Sequence, residues 1–356
     1  MDTRGIVWIA ACAVAAWGAA ADASSHIYVT NERSGELSVI DGETQTVLAT
    51  VPLGKRPRGL QLAPDGKHLY VALSGSPIGG PNVDESHLPP PDKQADGIGV
   101  VDLATLRLER VLRGVSDPEQ LVIAPDGRRL YVASEDTATA VVLDARDGRV
   151  LATLTVGHEP EGIALAPDGR WLYVASEAED EISVIDTRDD SVAGSISVGA
   201  RPRGIVFARN EPVAYVSCEN DGSIAVIDTR RHAMSGTIPI GLPGARPMGM
   251  ALAPDGRTLY VATGRSGKLV AIDTVSRQVK GSVAVGERPW GVSLSPDARY
   301  LYTANGPSND VAVVDTASLA VVKRIAVGAS PWGTLATTSG VVPVAPPTVV
   351  VTQRQH

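Results

Sequence analysis

One spacing, repeated seven times, constrains this chain more than any other feature. Proline recurs in a shared context at Pro57, Pro118, Pro160, Pro202, Pro247, Pro289 and Pro331. Tyrosine recurs at Tyr28, Tyr70, Tyr131, Tyr173, Tyr215, Tyr260 and Tyr302, and aspartate at Asp41, Asp102, Asp144, Asp186, Asp228, Asp273 and Asp315. Pro to Tyr is 13 residues in all six complete copies, Tyr to Asp is 13 in six of seven, and Asp to the next Pro is 16 in six of seven, a period of 42. The departures are insertions, 19 residues between Tyr70 and Asp102 and 3 between Asp228 and Pro247. A fixed period of this size marks units that cannot bury an apolar face alone and must stack on copies of themselves.

Each unit reads as four short strands. In one copy these are Gly204-Ile-Val-Phe-Ala, Ala214-Tyr-Val-Ser, Ile224-Ala-Val-Ile and a stretch ending Thr237-Ile-Pro-Ile. Ala-Pro-Asp-Gly joins the first two strands in most copies, as at Ala63–Gly66 and Ala124–Gly127. Proline pre-sets φ, aspartate bonds its own backbone and glycine accepts positive φ, so the motif is a tight hairpin. The aspartate of Val-Ile-Asp-Thr ends the third strand in a turn, and occurring once per unit it reads as structural. Four strands in about 42 residues is the size of a propeller blade. The chain starts at a second strand (His26-Ile-Tyr-Val-Thr) and ends its repeats at a lone first strand (Gly333-Thr-Leu-Ala-Thr). The expected fold is therefore an all-β, seven-bladed β-propeller in which the last strand completes the N-terminal blade and leaves no free edge.

Composition agrees. Apolar residues make up 44% of the chain but aromatics only 4%, with Phe207 the single phenylalanine, so the core must be aliphatic with some tyrosine. The 36 glycines and 25 prolines suit many turns. Residues 1–23 carry Arg4, an uncharged run from Gly5 to Gly18 and a small-x-small site at Ala21-Asp22-Ala23, the pattern of a secretory signal peptide. The propeller is expected over 24–340 and a disordered tail over 341–356. Cleavage would leave one cysteine, Cys218, and hence no intrachain disulfide. A formal charge of −8 disfavours nucleic acid as a partner, and no membrane insertion is expected once the signal is removed.

With Ile27-Tyr-Val-Thr-Asn, Val-Gly-x-x-Pro-x-Gly and Val-Ile-Asp-Thr, the chain resembles the YVTN-repeat β-propeller family over nearly all its mature length. The inserted stretch from Ser74 to Pro91 is similar to one found in a narrower group, the β-propeller proteins associated with PQQ-dependent catabolism. That resemblance implies a periplasmic accessory role beside a PQQ-dependent dehydrogenase system, with a protein partner or a small ligand. It does not imply that the chain binds PQQ. Propellers that do so carry a tryptophan motif in every blade, whereas tryptophan here falls at only three mature positions, Trp171, Trp290 and Trp332. No C-x-x-C-H, H-E-x-x-H, Gly-rich phosphate loop or G-x-S-x-G is present. No cofactor is expected.

Strand alternation puts the Pro-x-Gly links and the inserted loop, Ser74–Asp96, on one face. The variable residue x is Arg58, Glu161, Arg203, Met248, Trp290 or Trp332, and the third blade has Pro118-Glu119-Gln120 without the glycine. Constant backbone residues around a variable side chain suit a binding rim at one mouth of the central channel, with an aromatic and basic arc and an acidic arc. Trp290 and Trp332 are the candidates for stacking a ligand. Glu135, Glu177 and Glu219 lie in the loops after second strands on the same face. Within the insertion, Asn82, Asp84, Glu85 and His87 are the candidate contacts. His158 beside Glu159 and Glu161 has ligand chemistry, but on an exposed loop it reads as solvated, and no metal is expected. The leading expectation is thus a non-catalytic binding or scaffold propeller with no catalytic residue. The alternative is a lactonase-like hydrolase using rim carboxylates such as Glu119 and Glu161, with or without a metal.

Overall fold

A computed structural model describes residues 25–79 and 85–338. Among these residues, twenty-eight strands form seven four-stranded antiparallel sheets, one per expected blade. The ring closes as the spacing requires. Pro331–Thr338 pairs antiparallel with Ser25–Asn31, so the last strand becomes the innermost strand of the first blade. The segments read as signal peptide and tail lie outside the described residues.

The second and third strands of each blade are buried on both faces, as in His68–Leu73 and Gly97–Asp102. This explains why they read as apolar runs rather than alternating patterns. The fourth strand, such as Thr46–Pro52, lies outermost and is mostly exposed. The core is not central. It consists of seven wedges between neighbouring blades, for example Tyr70, Ile98 and Val100 of the second blade against Leu130, Val132 and Leu143 of the third. The repeated tyrosines sit in these wedges, and several reach the next blade. Tyr70 Oη donates to the Ala145 carbonyl at 3.2 Å, and Tyr173 Oη meets His232 Nδ1 at 2.7 Å. The repeated aspartates do what their periodicity implied. Asp41 and Asp102 each accept a backbone N–H three residues on at 2.6 Å, closing the turn.

The glycine of Pro-x-Gly has a different cause from the turn glycines. Its φ is not positive. A Cβ on Gly291 would stand 2.7 Å from the Trp332 carbonyl oxygen and 2.9 Å from the Thr334 nitrogen, and one on Gly59 would meet the Gln120 Cα at 2.7 Å. Innermost strands of adjacent blades therefore approach backbone to backbone around the channel, and only glycine leaves the room. Hydroxyls fasten some of these contacts. Thr30 Oγ1 donates to the Arg58 carbonyl at 2.7 Å while accepting from Gly333 N at 3.0 Å, and Ser217 Oγ donates to the Met248 carbonyl at 2.7 Å.

Candidate functional site

Close backbone packing forces the variable residue after each proline toward the channel mouth, where the seven side chains form an inner ring. The residue before each proline is in the left-handed region in six of the seven copies, at Arg56, Asp117, Glu159, Arg201, Arg288 and Ser330. A non-glycine residue pays strain for this conformation. Its recurrence ties the strain to the sharp turn from outermost to innermost strand, and it places a second ring beside the first. The position four after each repeated tyrosine supplies a third set: Glu32, Ser74, Glu135, Glu177, Glu219, Gly264 and Gly306.

The inner ring is closed rather than open. Arg58, Glu119, Glu161, Arg203, Met248 and Trp332 are all buried, and Trp290 is half-buried. Arg58 pairs with Glu119, and Arg203 pairs with Glu161 and Glu177, while Arg203 Nε also donates to Glu219 at 2.8 Å. Outside them, Arg201 Nε donates to Glu177 at 2.6 Å and Arg56 Nε to Glu32 at 3.0 Å. The aromatic and basic arc and the acidic arc expected from sequence therefore interlock. Trp290 and Trp332 stack on each other at 5.9 Å, with Arg58 over Trp332 at 5.3 Å and Arg203 and Arg288 within 5.5 and 5.0 Å of Trp290. Such contacts favour the desolvated guanidiniums. The cavity left among Glu161, Arg203, Met248, Trp290 and Trp332 holds about 40 Å³.

Electrostatics differ from one carboxyl to the next. Burial pushes Glu177 up to about 8, Glu135 and Glu159 adding to the effect against the pull of Arg201. Burial raises Glu135 as well. Burial would also raise Glu219, but Arg203 and Arg201 outweigh it and hold that carboxyl below its ordinary value. Burial lowers both Arg58 and Arg203.

The insertion is anchored on this face. Asp96 accepts from Gly75 N at 2.7 Å and from Asp117 N at 3.1 Å, and Ser74 Oγ bonds Asp117. Lys55 pairs with Asp92 at 2.7 Å and Lys93 pairs with Asp136, while Arg56 donates to the Ser76 and Pro77 carbonyls at 2.8 and 3.0 Å. The stem is thus fixed over the second and third blades. Asn82 and Asp84 lie outside the described residues, as does the side chain of Glu85. His87 is exposed and lies 3.4 Å from Ser86 Oγ.

His158 does not join Glu161. It pairs with Glu179, whose hydrogen bond raises the imidazole pKa. Asp117, Glu119 and Glu135 come within metal-ligating distance of one another, but the Arg58 guanidinium already neutralises Glu119. Sequence reasoning missed Glu32, Arg56, Arg201, Arg246 and Arg288. Their signal was available, since each keeps a constant register to a repeated proline or tyrosine.

With this geometry in hand, comparison with known proteins gives a consistent result. Residues 82–340 match the model of the YNCE-like β-propeller family. Antigen Lp49 of Leptospira interrogans is 27% identical over 137 residues, a match that spans only 30% of each chain. Among solved structures, a candidate 6-phosphogluconolactonase of Bacteroides fragilis superposes with a TM-score of 0.74 at 18% identity, covering 90% of this chain and 99% of that one. Kuenenia stuttgartiensis hydrazine synthase superposes at 0.70 with 21% identity, covering 82% and 92%. Identities this low establish a shared fold and no shared chemistry.

Proposed function

Since the chain belongs to the YNCE-like β-propeller family, we propose that it is a non-catalytic periplasmic propeller that docks a protein partner on its Pro-x-Gly face and is accessory to PQQ-dependent alcohol oxidation. The observation that carries the docking reading is the closed mouth. A cavity of about 40 Å³ is far below the roughly 300–1,000 Å³ of sites that enclose small organic ligands. The inner-ring charges neutralise each other, which makes the face a rigid platform. The anchored insertion extends that platform. Periplasmic placement and the PQQ link are supported by the signal-like pattern of residues 1–23 and by the resemblance of the insertion.

The test is binding of a purified PQQ-dependent alcohol dehydrogenase to the mature chain and to a variant lacking residues 76–95. Gly75 and Asp96 bond each other directly, so the deletion leaves the stem closed. Binding by the mature chain, weakened at least about tenfold by the deletion, is the expected result. Equal binding by both forms, or none by either, would sink the docking reading.

One observation favours a hydrolase as the second reading. Glu177 is held high and Glu219 low around the same Arg203, and paired carboxyls with divergent environments are what general acid–base catalysis uses. Turnover of a sugar lactone that is lost in Glu177→Gln would establish this reading in place of docking.

A further inference from the structure

The carboxylate ring is interrupted on one side. Of the seven positions four residues after the repeated tyrosine, four are glutamates, but blades six and seven have Gly264 and Gly306. No glutamate of this set therefore pairs with Arg288, on which Glu219 and Glu32 act only from a distance, and a Cβ at Gly306 would meet nothing nearer than 3.8 Å. The contrast with the other arginines of this face is sharp. Arg56 has Glu32, Arg58 has Glu119, Arg201 has Glu177, Arg203 has three glutamates, and Arg246 donates to Asn220 Oδ1 at 2.7 Å. Arg288, half-buried with its guanidinium 5.0 Å from the Trp290 ring centre, has no side-chain hydrogen bond or ion pair among the described residues, and neither does exposed Arg265. Both line one concavity of about 510 Å³, together with Ser266, Gly267, Gly286 and Glu287.

We propose that this notch between blades six and seven is an oxyanion site in which Arg288 and Arg265 take the carboxylate or phosphate group of a small organic anion. Three physical features support it. An arginine fork is pre-organised for a bidentate oxyanion. Trp290 holds the Arg288 guanidinium from behind, so less side-chain freedom is lost on binding. The concavity, at about 510 Å³, has room for a small organic anion. Glu287 opposes binding, two guanidiniums facing one carboxylate, and this sets a preference for compact anions that reach Arg288 without crowding Glu287. The site is separate from the sealed inner ring and does not depend on the docking reading.

The experiment is calorimetric titration of the full-length mature chain at low ionic strength, where surface charge is least screened, with inorganic phosphate in one arm and malonate in the other. Saturable binding in at least one arm is expected, and the tighter arm identifies the head group. Arg288→Ala and Arg265→Ala should each weaken it about tenfold or more, and Glu287→Gln should tighten it. Quenching or enhancement of tryptophan fluorescence should accompany binding to wild type, because the anion pulls on the guanidinium that lies over Trp290. Should Arg288→Ala disturb folding, Arg265→Ala serves alone, since that side chain is exposed and supports no contact. Absence of saturation in both arms, or affinity unchanged in Arg265→Ala, overturns the proposal.

Discussion

Glu177→Gln isolates the most perturbed carboxyl of the channel mouth. In the unfolded chain this group titrates near 4.5, and in the fold burial carries it to about 8. Below pH 4.5 the proton is bound in both states and nothing is lost. Between 4.5 and about 8 the folded chain holds a proton that the unfolded chain has released. Stability therefore falls as pH rises, by about 1.36 kcal/mol per pH unit. Above about 8 both states are ionised and the loss is complete. Over that interval the ceiling is about 5 kcal/mol. Glutamine keeps the shape and the hydrogen-bonding capacity but cannot ionise, so the variant escapes this loss. Urea denaturation of both forms across the pH range, plotted as the difference between them, removes every other titrating group. Near pH 4 the two should be similar. By about pH 9 the variant should be the more stable, by up to the ceiling. The opposing force is Arg201, which donates to Glu177 at 2.6 Å, and Arg203 beside it. If these guanidiniums prevail, the carboxylate stays ionised, the variant is the less stable form at neutral pH, and its deficit grows as pH rises through the acid range. That result would refute the claim that burial outweighs pairing here.

Three further outcomes follow from the same geometry. Arg58→Met should cost about 3–5 kcal/mol in denaturant unfolding, because it leaves Glu119 buried without its partner, and adding Glu119→Gln should recover much of that loss. Gly291→Ala should lower stability by about 1–3 kcal/mol, read as a drop in melting temperature, because the new Cβ meets the Trp332 carbonyl and the Thr334 nitrogen inside 3.0 Å. Removing residues 331 onward should leave Ser25–Asn31 as an unpaired edge and strip Trp332 and Leu335 from the first blade, so that the chain elutes as aggregate rather than monomer in size-exclusion chromatography.

The fold was legible because propeller architecture is written in local chemistry repeated at a fixed interval. The tyrosines, the turn aspartates and the Ala-Pro-Asp-Gly hairpins each act within a blade or on the next one, so their spacing alone implied seven blades and the closing strand, and the structure has both. The inner ring was legible in the same way, as a variable residue at a constant register. Its chemistry was not. Whether Arg58, Glu119, Glu161 and Arg203 face water or one another depends on how far the innermost strands close in. The period of 42 residues marks Arg203 and Glu161 as equivalent positions of adjacent blades, but it does not say that the two side chains pair.

By itself, then, the sequence determined the number of blades, their four strands, the face on which the links and the insertion emerge, and the identity of each side chain sent to the channel mouth. Only the tertiary structure decided that this mouth is sealed by ion pairs, that burial prevails at Glu177 while Arg203 and Arg201 prevail over it at Glu219, and that Arg288 and Arg265 line a notch without a facing glutamate from the ring. The physical reason is that periodicity is a property of covalent order along the chain, whereas charge pairing and desolvation depend on approach across the ring, which strand packing sets blade by blade.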